Sequence, residues 1–321
     1  MPEVITIRGP VPSESLGVTL MHEHLLINWT REFRSDGLIN DEALVTEEIA
    51  AFVATGGSTV VEVSTSQLTL GVTRRPTVER TSGTRTDDSV RALVRIAEAA
   101  RVDLVLGTGH YRHPYFDHAL INSSTTDQLA EQMVREIEHG FGDTGIRAGL
   151  IGEIGCDRWY VSAEEERSFR AAARAARRTG VCLSTHAVDY PVGLLQLDLL
   201  AEEGLDPARV IVGHCDTVDL PDYHDEIIRR GAWVQFDTIR GLTERDIAQR
   251  VAMITRLIRA GHADRLLLSQ DVCKKSHLRA NGGNGYTFLT TVFLDRLRNA
   301  GISDEEITML TVHNPARVLA R

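Results

Sequence analysis

GVTLMHEHLL, residues 17–26, sets a His-x-His motif inside a short apolar run. A run of this length, with Val, Thr and Leu, reads as a strand rather than a helix. Side chains alternate faces along a strand, so His22 and His24 share a face, about 7 Å apart. Two neutral imidazoles on one side can grip one divalent cation. An isolated His-x-His is as often a pair of polar residues at a strand end, so its meaning depends on the other strands.

Those strands recur along the whole chain. β-branched or apolar runs stand at 58–65, 103–111, 147–157, 181–187, 209–216, 232–238 and 265–271. Helical periodicity fills the intervals, at 41–57, 87–102, 125–141, 162–180, 191–204, 219–231 and 244–262, then at 284–301 and 303–320. The segment 162–180 shows the signals best: Ser162 as cap, glutamates in the first turn, arginines in the last, and Gly180 as stop. Eight strands, each followed by a helix, predict a (β/α)8 barrel. Residues 1–321 are expected to form one such domain, with short N-terminal strands leading in and a helix at the C-terminus. An open doubly wound sheet would usually carry a Gly-rich phosphate loop after its first strand. Here the first strand ends in His-Glu-His.

Composition narrows the partners. The formal net charge of −10 argues against nucleic acid, because phosphate binding needs a cationic face. No apolar run approaches the 18 or so residues of a membrane span, and the start shows no signal-peptide pattern. Cys156, Cys182, Cys215 and Cys273 are scattered, which suits reduced, packed thiols in a cytoplasmic protein.

In a barrel the C-terminal strand ends converge on one mouth. The first strand brings His22 and His24 there. The fourth brings Glu153, the fifth His186, the sixth His214 and the eighth Asp271. Each alone is more often a satisfied polar residue than a ligand, but together they form a set. Six ligands exceed one tetrahedral ion and suit two ions sharing a bridge. His22, His24 and Asp271 would hold one ion, His186 and His214 the other, with Glu153 as bridge. Two divalent ions bring more charge than two carboxylates return, which favours a bridging hydroxide over water. Imidazole and carboxylate donors fit Zn²⁺, with Mn²⁺, Co²⁺ and Fe²⁺ as alternatives.

GVTLMHEHLL, LIGEIG, STHA, VGHCD, LLSQDVCKKSHLRANGGNGY and the terminal HNPARVL together resemble the phosphotriesterase family of the amidohydrolase superfamily. The resemblance runs over essentially the whole chain. It implies a binuclear metal hydrolase, with four histidines, an aspartate and a bridging residue as ligands, at positions matching the six above. Phosphotriesterases and lactonases of the family bridge with a carbamylated lysine. Glu153 stands there instead, as in the glutamate-bridged branch. The implied reaction is attack by the bridging hydroxide on a carbonyl or phosphoryl centre, with Asp271 taking the proton and Glu153 holding the bridge. Tyr111 is assigned to substrate contact by the same resemblance. Arg240, and Lys274, Lys275 and Arg279 in the long loop after strand eight, are candidate contacts for an anionic group. That loop is also a candidate specificity lid. The expected substrate is a small ester or lactone. Organophosphate triesters and small N-acyl amides are the alternatives, and a non-catalytic metal-binding barrel is the reading outside enzymes. A homodimer is the family expectation.

Overall fold

The computed structural model describes residues 2–70, 83–240 and 243–321. Eight parallel strands carry the architecture: β1 (Val18–Glu23), β2 (Gly57–Glu62), β3 (Asp103–Thr108), β4 (Leu150–Gly155), β5 (Leu183–His186), β6 (Val210–Val212), β7 (Trp233–Phe236) and β8 (Leu266–Leu268). Each pairs with its sequence neighbour, in the order β1 through β8. Helices α1 (Glu42–Ala54), α2 (Asp87–Ala100), α3 (Thr126–Glu138), α4 (Ala163–Thr179), α5 (Gly193–Glu202), α6 (Pro221–Arg229) and α7 (Glu244–Arg259) fill the crossovers. This is a (β/α)8 barrel, entered by an antiparallel hairpin of Glu3–Thr6 and Gly9–Pro12.

The caps explain where helices begin. Ser162 and Thr125 each accept from the amide three residues on. Glu165 and Gln128 reach back to the cap amides, so α4 and α3 both start with a capping box. Gly180 ends α4 in the left-handed conformation.

The core has two layers. Met21, Val61, Val105, Leu150, Cys182, Ile211, Trp233 and Leu267 pack inside the barrel, over Val4, Leu16, Val318 and Leu319. Leu20, Val60, Leu104, Ile151, Leu183, Val212, Val234 and Leu268 face outward and join the helices in the larger cluster. Alternation along each strand sorts the two sets. The four cysteines are free and buried, consistent with packing roles.

The seam between β8 and β1 is closed mainly by side chains. Ser269 Oγ accepts from the His22 amide at 2.8 Å and donates to Glu23 Oε1 at 2.7 Å. The Glu23 carboxylate also accepts from the amides of Gln270 (2.8 Å) and Val272 (2.9 Å), and the Asp271 amide donates to the His22 carbonyl at 3.1 Å.

The C-terminal segments expected at 284–301 and 303–320 are helical, each with a π turn inside it. The first is a 3₁₀ turn, a π segment at Leu289–Phe293 and a short α-helix, Leu294–Asn299. The Leu289 amide donates to Gln270 Oε1 at 2.7 Å, out of the helix, which loosens that turn. The second carries a π segment at Met309–His313 ahead of Pro315, which has no amide hydrogen for the regular ladder.

Candidate metal centre

All six sequence-selected ligands lie at the mouth and are buried. Glu153 is the hub. Its Oε2 lies 2.9 Å from His186 Nδ1 and 3.4 Å from both His22 Nε2 and His214 Nε2. Its Oε1 lies 3.5 Å from His24 Nε2, and Asp271 Oδ1 is 3.3 Å from the same nitrogen. Glu153 thus turns Oε2 toward His186, His214 and His22, and Oε1 toward His24 and Asp271.

Backbone irregularities aim these groups. Leu150 points into the barrel and Ile151 out. Strict alternation would turn Glu153 outward. The register of β4 against β5 shifts between Ile151 and Ile154, and that of β1 against β2 shifts between Leu20 and Glu23. The shifts rotate Glu153 and His22 inward. His214 and Asp271 lie beyond their strands at φ 57° and 53°, left-handed conformations uncommon for residues other than glycine. The Ser269 and Glu23 seam holds the second of these turns in place.

A second ring of partners fixes the imidazoles. Asp237, fully buried at the end of β7, accepts from His214 Nδ1 at 2.7 Å and from the His214 amide at 3.0 Å. Its other oxygen lies 3.3 Å from His22 Nδ1. Ser64 Oγ is 2.8 Å from His24 Nδ1. With those outer nitrogens engaged, the Nε2 atoms of His22, His24 and His214 face inward.

Burial works against ionisation throughout. For Glu153, burial alone would raise the pKa, but His186 and His22 outweigh it and hold the carboxyl well below its usual range. For Asp271, burial is likewise opposed, mostly by Arg240, and the pKa falls far below normal. His186 is pushed down to about 4 by burial, against the pull of Glu153.

These residues fit divalent cations. Four imidazoles and two carboxylates form a suitable donor set. With every imidazole neutral, as ligation requires, the buried Glu153, Asp237 and Asp271 outnumber the one neighbouring guanidinium, Arg240, so a cation would replace the protons that these carboxylates otherwise favour on His22 and His214. His22 Nε2 is buried, faces the cluster and makes no hydrogen bond. His22, His24 and Glu153 form one ligand-distance group, and Glu153, His186 and His214 another.

The sequence pattern of the phosphotriesterase family matches residues 2–319. The chain belongs to the phosphotriesterase family. An Escherichia coli phosphotriesterase homology protein is 34% identical over 303 residues, covering 94% of this chain and 97% of that protein. A crystal structure of an E. coli phosphotriesterase homology protein with phosphate in its active site superposes with TM-score 0.85 at 33% identity, covering 95% of this chain and 99% of that one. A mutant of a Deinococcus radiodurans phosphotriesterase-like lactonase gives TM-score 0.80 at 30% identity, with 98% and 99% covered. An N-acetyltaurine hydrolase of Dictyostelium discoideum is 25% identical, covering 99% of this chain and 97% of that protein. The chain is a hydrolase of this family, and no helix among its described residues is long and apolar enough to cross a membrane.

In this phosphotriesterase-family hydrolase a narrow cavity opens on the cluster. It is lined by His24, Glu153, His186, His214 and Asp271, together with Ile27, Trp29, Leu68 and Tyr111. Tyr111 is buried, with its hydroxyl 3.4 Å from both ring nitrogens of His186. Arg112 stacks 5.0 Å over its ring. Arg240 spends its Nη1 on Asp271 Oδ2 at 2.8 Å and on the Asp271 carbonyl at 2.8 Å, so its nearest anion is Asp271 itself. Lys274, Lys275 and Arg279 are not among the residues lining this cavity. Lys274 lies over the Phe33 ring and Arg279 is exposed. The loop around them is tied down: Ser276 donates to both oxygens of Asp36, and the buried Tyr286 hydroxyl donates to the His24 carbonyl at 2.7 Å.

Asp237, which contacts both His214 and His22, is the candidate site residue that the sequence reading passed over. It lies at the end of a strand, like the six ligands, and that position was the available signal. Glu23, between the two histidines, was likewise read only as the x of His-x-His.

Proposed function

We propose that this hydrolase holds two divalent cations, Zn²⁺ by the donor set, between His22, His24 and Asp271 on one side and His186 and His214 on the other, with Glu153 shared. Its substrate on this reading is a small lactone or carboxylic ester. When bound, such cations supply a nucleophilic water at neutral pH and polarise the oxygen that gains charge.

The remaining work falls to the chain. Glu153 offers each side one oxygen and keeps the two halves in register. Asp271 turns Oδ1 toward His24 and the interior as its ligand atom, and Oδ2, held by Arg240, is the oxygen left to accept a proton and pass it to the leaving group. Tyr111 directs a hydroxyl into the cavity, where it can donate to a substrate oxygen. Ile27, Trp29 and Leu68 provide an apolar wall for an acyl chain or ring and limit the water that reaches the centre.

The observation that carries the substrate class is this lining. Ionic and imidazole groups share the lining with Ile27, Leu68, the Trp29 indole and the Tyr111 hydroxyl, and the cavity is narrow. A flat carbonyl fits such a slot better than a tetrahedral phosphorus bearing three ester arms. The test is a panel on metal-loaded protein comparing γ- and δ-lactones, aryl esters, aryl dialkyl phosphates and N-acyl amides. Lactones or esters are expected to lead by at least tenfold in kcat/KM. A phosphotriester or N-acyl amide ahead by that margin would reassign the substrate. No turnover of any class at full metal loading would return the barrel to a binding role.

A further inference from the structure

Among the described residues, one further trio of ligand-type side chains converges outside the central cluster, where the loop after β3 meets the start of α4: His113, His118 and Glu164. His113 opens the 3₁₀ turn after β3, His118 opens the short helix His118–Ser123, and Glu164 lies in the first turn of α4. His113 Nε2 is 3.2 Å and His118 Nδ1 2.8 Å from the same carboxylate oxygen, Glu164 Oε2. The two imidazoles stand 4.9 Å apart, centre to centre.

The arrangement is held from outside. Asn122 Nδ2 donates to the other oxygen, Glu164 Oε1, which leaves Oε2 for the histidines. The His113 amide donates to Glu165 Oε1 at 3.2 Å, and Arg167 Nη1 donates to the Ile121 carbonyl at 2.7 Å. Both histidine-bearing segments are therefore pinned to the helix that carries the carboxylate. The Phe116 ring meets His118 edge-on at 6.5 Å. The histidines remain 48% and 42% exposed, so an ion and its water have access.

We propose that His113, His118 and Glu164 form an additional divalent-cation site, selective for Zn²⁺, with water completing a four-coordinate shell. Two nitrogens and one oxygen are a common three-ligand zinc set. Tetrahedral ligands at 2.0–2.1 Å lie about 3.3 Å from one another, and both observed contacts fall within about 0.5 Å of that. The site shares no residue with the central cluster. Occupying it would clamp residues 113–118 against α4, immediately after Tyr111 and Arg112 in the cavity wall.

The test uses the metal-loaded enzyme, freed of loosely held ions by gel filtration and titrated with Zn²⁺ against a chromophoric chelator. Wild type is expected to take up one additional zinc per chain, half-saturating below about 10 μM. His118→Ala and His113→Ala should each weaken that uptake at least tenfold, with the metal retained through gel filtration unchanged. Glu164→Gln should act in the same direction, while the two exposed histidine variants guard against a folding artefact in α4. Absence of an additional equivalent up to about 100 μM zinc overturns the proposal, as does an additional equivalent that survives both histidine substitutions.

Discussion

Replacing Asp237 by Asn separates the charge of this residue from its shape. In the native arrangement Oδ1 accepts from His214 Nδ1 (2.7 Å) and from the His214 amide (3.0 Å). Oδ2 lies 2.8 Å from Gln235 Nε2 and 3.3 Å from His22 Nδ1. Asn keeps one acceptor, and placing it at Oδ1 preserves the His214 contacts. Its amide NH₂ then occupies the Oδ2 position, where Gln235 presents a donor and His22 needs an acceptor. His22 loses the group that keeps its proton on Nδ1 and its Nε2 free, and His214 loses a charged acceptor. Substitutions in such outer partners of metal-binding histidines typically cost 10–100-fold in metal affinity, about 1.4–2.8 kcal/mol. We expect Asp237→Asn to fall within this range, measured by chelator competition on reconstituted protein, with kcat/KM dropping in parallel and recovering in part at high metal. Metal affinity within twofold of wild type would refute the assignment of Asp237 to ligand orientation.

Glu153→Gln keeps the shape of the hub and removes its charge; metal content should fall below two ions per chain and activity by orders of magnitude. A glutamate needs no carbon dioxide to become anionic, so reconstitution of the stripped wild type should proceed at the same rate with or without bicarbonate. Tyr111→Phe removes one hydroxyl from the cavity and should lower kcat/KM about five- to tenfold, the worth of one hydrogen bond, with metal content unchanged; an effect under twofold would leave Tyr111 as packing. His110 is buried, with Nδ1 3.1 Å from Ser66 Oγ, and burial pushes its pKa down to about 4. The unfolded chain therefore binds the proton first as pH falls, and stability is lost between pH 6.5 and 4, by about 2 kcal/mol from this group at pH 5 relative to pH 7. Denaturant melts at those two pH values should differ less for His110→Gln than for wild type, and an unchanged difference would remove His110 from the account.

The fold and the convergence of the six candidate ligands were legible in the sequence for a common reason. Both depend on periodicity: apolar runs of strand length separated by capped helices, with ionisable residues late in the runs. His186 illustrates the case, because it shares a parity with Cys182 and Ser184 and points inward. Asp237 obeys the same rule through Trp233 and Gln235, so its omission was a failure to apply the pattern at every strand. Glu153 and His22 reach the centre through register shifts, and His214 and Asp271 through left-handed turns. Residue types do not announce either feature. The partner of Arg240 was equally hidden, since a guanidinium within reach of a substrate and one clamped on Asp271 look the same in a sequence. The π segments near the C-terminus arise from a long-range bond to Gln270 and from Pro315, and helical periodicity averages over both.

The side-chain seam between β8 and β1 has a consequence for how the protein is made. His22 and His24 leave the ribosome almost 250 residues ahead of Ser269, which closes the seam, and Asp271, which faces His24. On the proposed metal reading, a growing chain therefore exposes two candidate ligands throughout synthesis, with no enclosed site to offer an ion. Any cation taken up early is held by a pair of imidazoles and exchanges freely. Commitment to a particular metal is deferred until the last strand docks. The identity of the bound ion should thus follow the metal pool the finished chain meets, and refolding in mixtures of Zn²⁺ and Mn²⁺ should give occupancies that track the mixture present when the barrel closes.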